Sequence, residues 1–489
     1  MFDESAKQLK VVISMMDGDN YLSIIESIKN NITGISVRKL TIKNKGIYIL
    51  FITHITNRDS LSENIIKPLL QYNGSQTLTA ESIINSVIYI DDVFYAEDEN
   101  KITDYILEGK SIIIISESSK YIVVNTSKSE KRNIQSPEVE ASIKSPRDAF
   151  NENLDSNLSL IRHRIKDSSL KLDYHVVGVR TKTSVVLVYL EDVANSKYVA
   201  AIQKRINEIN VDGILESGYI LKWLSNKDAS LFPQIGVSER SDSACANILE
   251  GRICILVDGS NLALIAPKNF IGFLDSGEDH YDNNYVGKFV KFLRFLCLIL
   301  SLTLSALYVT IVAYQPEIMP AQYILALASS RIQVPINAVT EAVMMEVMME
   351  LLREANLRLP QQIGSSISIV GTIVIGQAAV YAGIVSPLMV IIVALSSMAS
   401  FAVGDYSVIN PIRLLKFFMI FISAIFGLYG FVMGLTIVVI KIISVTSFGI
   451  PYTAPLVPFN FKDLKNFFSS NIFTNKERPD FLKPKDKNR

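Results

Sequence analysis

Ser365, Ser368, Thr372, Gly376, Ala379 and Gly383 recur at steps of three and four residues. That spacing puts them on one face of a helix and leaves the face narrow enough for a neighbouring helix to approach closely. Another face of the same turns carries Ile367, Val370, Val374 and Gln377. Gln377 is the most informative of these, because a primary amide in an apolar helix needs a hydrogen-bonding partner or water. Two readings stay open for it, a packing contact with another helix and the lining of a water-filled conduit. In the second, Ile367, Val370 and Val374 form apolar girdles that hold no water and so block ions until they widen. Upstream, Glu346 and Glu350 stand one helical turn apart in a Met- and Leu-rich segment. This acidic stripe either attracts cations or is the polar face of an amphipathic helix.

Nothing in the chain has the spacing of an enzyme centre. The histidines His54, His163, His175 and His280 are isolated from one another, so neither a metal set nor a triad follows from them. Cys245, Cys254 and Cys297 lack metal spacing and imply no disulfide frame, which suits a reducing compartment. The Asp258-Gly259 pair reads as a hairpin turn and not as a phosphate cradle. Arg162, His163, Arg164 and Lys166 form a basic group without interleaved aromatics, so a solvated or subunit-facing helix is expected and nucleic acid is not. No cofactor, metal or catalytic role is expected.

The elements that must position these residues fall into two unlike parts. Asp, Glu, Lys and Arg are absent from Phe295 to Gln315, from Ile363 to Gly404 and from Phe417 to Ile440. Blocks of that length can cross a hydrocarbon core. The expected all-α membrane domain is 285–446, with spans at 292–314, 363–383, 385–404 and 414–445 and an amphipathic helix at 335–359. The last span is expected to tilt or kink around Gly427, Gly430 and Gly434. Met1–Lys10 leads into only a short apolar run, and Lys288, Lys291 and Arg294 precede the first span. With the basic tail 447–489, this predicts a multi-pass protein with both termini in the cytoplasm. Arg413 and Lys416 stand against that count, which places them outside.

The polar front end reads as a duplicated α/β unit. Ile106-Leu107-Glu108-Gly109-Lys110 precedes an apolar strand 111–115 and a second strand 121–124, and Ile248-Leu249-Glu250-Gly251-Arg252 precedes strands at 253–257 and 262–266. Each copy is a helix end, a glycine stop and a β-hairpin. Strand patterns at Gly46–Ile55 and Thr183–Leu190, each followed by a helix of similar size, extend the parallel upstream. The expected organisation is subdomain 1 at 1–125, a Ser-, Lys- and Glu-rich linker at 126–145, and a related subdomain 2 at 146–280.

Four stretches carry a resemblance: PQQIGSSISIVGTIVIGQAAVYAGIVSPLMVIIVALSSMASF from Pro360, VGVRTKTSVVLVYLEDVAN from Val177, FPQIGVSERSD from Phe232 and ILEGRICILVDGS from Ile248. Their order and spacing resemble the A-subunit of GerA-type nutrient germinant receptors of endospore-forming bacteria. The resemblance implies a subunit of the spore inner membrane, contacting lipid, that works with a transporter-like B-subunit and a lipoprotein C-subunit. It further implies a ring-shaped homo-oligomer, a pentamer, forming an ion channel that opens on nutrient sensing. The alternative is a non-conducting scaffold that positions the transporter-like partner. The family pattern leads us to expect an acid in many relatives after Gly376, where this chain has Gln377.

Overall fold

The computed structural model describes residues 20–42, 45–72, 79–116, 118, 120–127, 144–225, 231–358, 376–469 and 477–488. The expected linker lies almost wholly outside the described residues, as do Ile367, Val370, Val374, Ser365, Ser368 and Thr372.

Two antiparallel sheets build the front end. The first contains β1 (Ile35–Ile42), β2 (Lys45–Ile52), β3 (Val93–Ala96), β4 (Ser111–Ile115) and β5 (Tyr121–Val124), in the order β1-β2-β4-β5-β3. The second contains β6 (Leu170–Val177), β7 (Thr183–Leu190), β8 (Gly236–Ser238), β9 (Ile253–Val257) and β10 (Ala263–Ala266), in the order β6-β7-β9-β10-β8. Taken in chain order, the two arrangements are the same. The β-branched runs Ile112–Ile115 and Ile253–Val257 are buried on both faces, because helices cover each sheet from above and below.

The covering helices repeat as well. α1 (Asn20–Asn31), α2 (Ala80–Ser86) and α3 (Ile102–Leu107) belong to the first sheet; α4 (Leu154–Arg164), α5 (Ser196–Asn207), α6 (Ser217–Leu224) and α7 (Ser241–Leu249) belong to the second. α3 and α7 end alike. Gly109 (φ 88°) and Gly251 (φ 96°) adopt the left-handed conformation, and Lys110 N and Arg252 N donate back to Tyr105 O and Asn247 O. These are Schellman-type stops, which need a residue without a Cβ.

The basic group at the end of α4 divides: His163, Arg164 and Lys166 are exposed, as expected of a solvated face, while Arg162 is buried. Arg162 is 1% exposed and its Nη2 donates to Thr33 O (2.7 Å), tying the subdomains together. Arg164 pairs with Asp148 at 2.7 Å. His54 adds a second tie, with Nε2 2.6 Å from Tyr174 Oη and Nδ1 2.9 Å from Asp155. Cys245 and Cys254 are buried inside subdomain 2, and burial pushes the Cys245 thiol up to about 12.

Beyond the sheets lie α8 (Asn284–Ala313), α9 (Ala321–Arg331), α10 (Ala338–Arg358), α11 (Pro387–Phe401), α12 (Tyr406–Ser444) and α13 (Phe461–Phe468). α8 and α12 are long and apolar enough to cross a membrane. α8 leads away from subdomain 2. α10 and α11 run back toward it, since Glu341 and Ser386 lie together near the far end, while Arg353 stacks on Phe401 near the return end.

α12 reverses within its length. Gly427 is non-helical (φ 56°, ψ −135°), and an added Cβ on Gly430 would meet Ile422 O while one on Gly434 would lie 2.8 Å from Met419 Sδ. Residues eight and fifteen apart are therefore neighbours, which a straight helix forbids. The kink expected around Gly427 is a full reversal, so that the chain does not cross once over 414–445 but goes out to Tyr314 and comes back. Both ends meet subdomain 2: Asp405 pairs with Lys268 at 3.0 Å, and Ser447 Oγ donates to Gln234 O at 2.8 Å.

The described part of the tail is docked and not free. Phe448, Ile450, Ala454 and Leu482 complete the apolar core on one face of the second sheet, and Lys485 N donates to Val193 O.

Candidate functional site

Four cationic residues meet Glu341, Glu346 and Glu350 of α10. Glu341 is fully buried, pairs with Arg331 at 2.9 Å and accepts Ser386 N at 2.6 Å. Glu346 is 1% exposed, pairs with Lys416 at 2.9 Å and accepts Ser305 Oγ at 2.6 Å. Glu350 pairs with Arg353 at 3.3 Å and with Arg413. Since acids recur along α10 at steps of five and four residues, the column follows the side of the helix that faces α8, α11 and α12.

The acidic stripe expected at Glu346 and Glu350 thus exists, but it does not face solvent or headgroups. Ala338, Ala342 and Met345 are buried beside it, so α10 is a packed member of the bundle and not a helix lying on a surface. The reason is charge pairing. Arg413 and Lys416, awkward if exposed outside a membrane, are placed opposite the carboxylates, and a buried charge is tolerated only when paired. Ser301 and Ser305 let α8 come close, and Ser396 Oγ donates to Ser301 O at 3.2 Å.

Sequence reasoning missed Glu341, Arg331 and the pairing of Lys416. A signal was present. Charges of both signs inside otherwise apolar stretches are costly alone, so their complementary count pointed to partners.

The small-residue face is described from Gly376 onward. Gly376 and Ala379 are buried; an added Cβ on Gly376 would sit 3.6 Å from Val390 Cγ1, and one on Gly383 (φ 65°) would be 3.0 Å from Gln333 O. This part of the face packs against α11 and the turn before α10 of its own chain. Gln377 lies on the other side and is exposed, as is Tyr381 (90%). The structure brings neither Gln377 nor Tyr381 to the ion-pair column.

Comparison with known proteins places this architecture among relatives. Residues 23–481 match the family described as Bacillus/Clostridium GerA spore germination protein. The chain is 36% identical over 441 residues to spore germination protein KA of Bacillus subtilis (strain 168), covering 90% of this chain and 81% of that one. It is also 36% identical over 441 residues to spore germination protein GerLA of Bacillus cereus, covering 90% and 89%. A crystal structure of the N-terminal domain of the A subunit of the Bacillus megaterium spore germinant receptor GerK3 aligns with a TM-score of 0.40 at 28% identity, covering 53% of this chain and 98% of that chain.

Proposed function

The chain belongs to the Bacillus/Clostridium GerA spore germination protein family, and from that premise we propose that it is the A-subunit of a spore nutrient germinant receptor, forming an oligomeric membrane ion channel that opens on nutrient sensing. The receptor role rests on the family match across nearly the whole chain. The channel reading rests on one observation: the helix ending at Tyr381 turns Gly376 and Ala379 toward its own chain and leaves Gln377 uncovered. An uncovered amide among apolar helices calls for a second copy, a partner subunit or water.

In this reading the described helices are embedded in the spore inner membrane, with subdomains and tail on the cytoplasmic side. Copies of the chain form a ring, Gln377 lines the conduit, and Ile367, Val370 and Val374 supply apolar girdles that hold it shut. A transporter-like B-subunit and a lipoprotein C-subunit complete the receptor. The ion-pair column holds α8, α10 and α12 in register. It does not line the path, because every carboxylate in it already faces a cation.

That last point also favours a second reading, a non-conducting scaffold whose paired charges fix the shape that a transporter-like partner recognises. Reconstituted full-length protein separates the two. Val370→Ser wets the proposed girdle, so liposomes carrying it should leak monovalent cations while wild-type liposomes stay tight. Assembled Val370→Ser protein that passes no ions would refute the channel and leave the scaffold.

A further inference from the structure

Subdomain 2, the start of α8, α13 and the tail border a partly open cavity of about 80 Å3, lined among others by Glu250, Arg252, Asn269, Asp275, His280 and Lys291. The volume admits several waters or one small oxyanion. Lys291 (2% exposed) is already satisfied, with Nζ 2.7 Å from Asp275 Oδ1 and donating to Phe467 O at 2.9 Å. Arg252 is not. It is 5% exposed, its Nε has no hydrogen-bond acceptor among the described residues, and the nearest acid is Glu250 Oε2 at 3.6 Å.

His280 presents a second unused group. Its Nε2 lies 3.0 Å from Asp275 Oδ2, while Nδ1 is out of solvent and without a partner. Burial pushes the imidazole down, but the Asp275 charge outweighs this and raises it, which favours a protonated ring with Nδ1–H as a donor. Burial likewise weighs on Arg252 and lowers it from the usual guanidinium value. Two donors, Arg252 Nε and His280 Nδ1, and one acceptor, Asn269 Oδ1, therefore stand beside this space without a hydrogen-bond partner among the described residues, and leaving the two donors so costs more than placing an acceptor between them.

We propose that this cavity binds a small oxyanion, a carboxylate or phosphate group held between the Arg252 guanidinium and His280 Nδ1. Arg suits such a group because its planar fork can donate two parallel bonds. The bound group would sit within subdomain 2 beside the first turns of α8, at a point separate from the ion-pair column and independent of whether the bundle conducts.

The test uses full-length protein in phosphatidylcholine nanodiscs, titrated with inorganic phosphate and with acetate at ionic strength held constant by chloride. The thermal midpoint should rise saturably in wild type. Removing one charge-assisted donor with His280→Gln should weaken the apparent Kd by about tenfold or more, and Arg252→Gln should abolish the response. Glu250→Gln, which takes away the acid nearest the guanidinium, should tighten it. Should Arg252→Gln fail to fold, the opposite directions of His280→Gln and Glu250→Gln carry the test. Nanodiscs containing phosphatidic acid separate the sources: a midpoint already raised and deaf to added phosphate identifies a lipid headgroup, and an unchanged phosphate response identifies a free solute. No saturable response in wild type, or equal Kd values in wild type and His280→Gln, overturns the proposal and leaves a water-filled cavity.

Discussion

Lys416→Met breaks the central pair of the column and exposes what the pairing is worth. The ammonium and the Glu346 carboxylate are 2.9 Å apart, and their side chains are 3% and 1% exposed. Removing the cation leaves a buried carboxylate whose remaining partner is the Ser305 hydroxyl. Breaking a buried pair from one side costs about 3–5 kcal/mol, whereas replacing both members with apolar side chains is often neutral. The expected cost of Lys416→Met is therefore roughly 150-fold or more in the folding equilibrium of the bundle. Adding Glu346→Leu should recover most of it, with a residual of about 1–2 kcal/mol for the hydroxyl left without its acceptor. Two signals localise the effect. The single tryptophan, Trp223, sits in subdomain 2 with its indole N–H donated to Arg205 O, so its fluorescence follows the soluble part. Far-ultraviolet dichroism of purified full-length protein is dominated by the helical bundle. Lys416→Met should lower the dichroism transition and leave the fluorescence transition in place, and the double variant should move the former back. A wild-type dichroism midpoint for Lys416→Met, or a double variant no better than the single one, would show that the column does not hold the bundle together.

Three further outcomes follow from the soluble part. Arg162→Met removes the donor to Thr33 O and Leu170 O; hydrogen exchange should accelerate around Ile32–Gly34 while the cores of both sheets stay protected, and unchanged exchange there would deny Arg162 its tying role. Gly251→Ala forces a Cβ into φ 96° and to 3.2 Å from Val193 Cγ1, so denaturant unfolding followed by Trp223 should show a loss of about 1–2 kcal/mol. His280 sits above its ordinary value of 6.5, with Asp275 outweighing burial; its contribution is complete below that value and is lost as pH rises through the folded-state pKa. In oxyanion-free buffer the thermal midpoint of wild type should decline over this alkaline limb, and His280→Gln should flatten the decline.

Much of the soluble fold was legible because it is local. The strands 111–115, 121–124, 183–190 and 253–257 coincide with β4, β5, β7 and β9, since β-branched runs bounded by turn residues declare themselves without long-range information. The repeated Leu-Glu-Gly motif foretold two equal helix stops, because only glycine takes the left-handed turn without strain. What the chain alone left open was which charges meet. Glu346 and Lys416 are seventy positions apart, and no periodicity links them; only the packing of α10 against the first limb of α12 and the close seating of α8 bring them together. The same holds for Arg162, which by composition is one member of a basic group and by position is a buried tie to Thr33. Pattern reads the free energy of each segment with water or lipid, and that term depends on neighbours in sequence. The partner of a buried charge depends on how whole helices pack, so the ion-pair column and the Arg252 cavity belong to the tertiary structure alone.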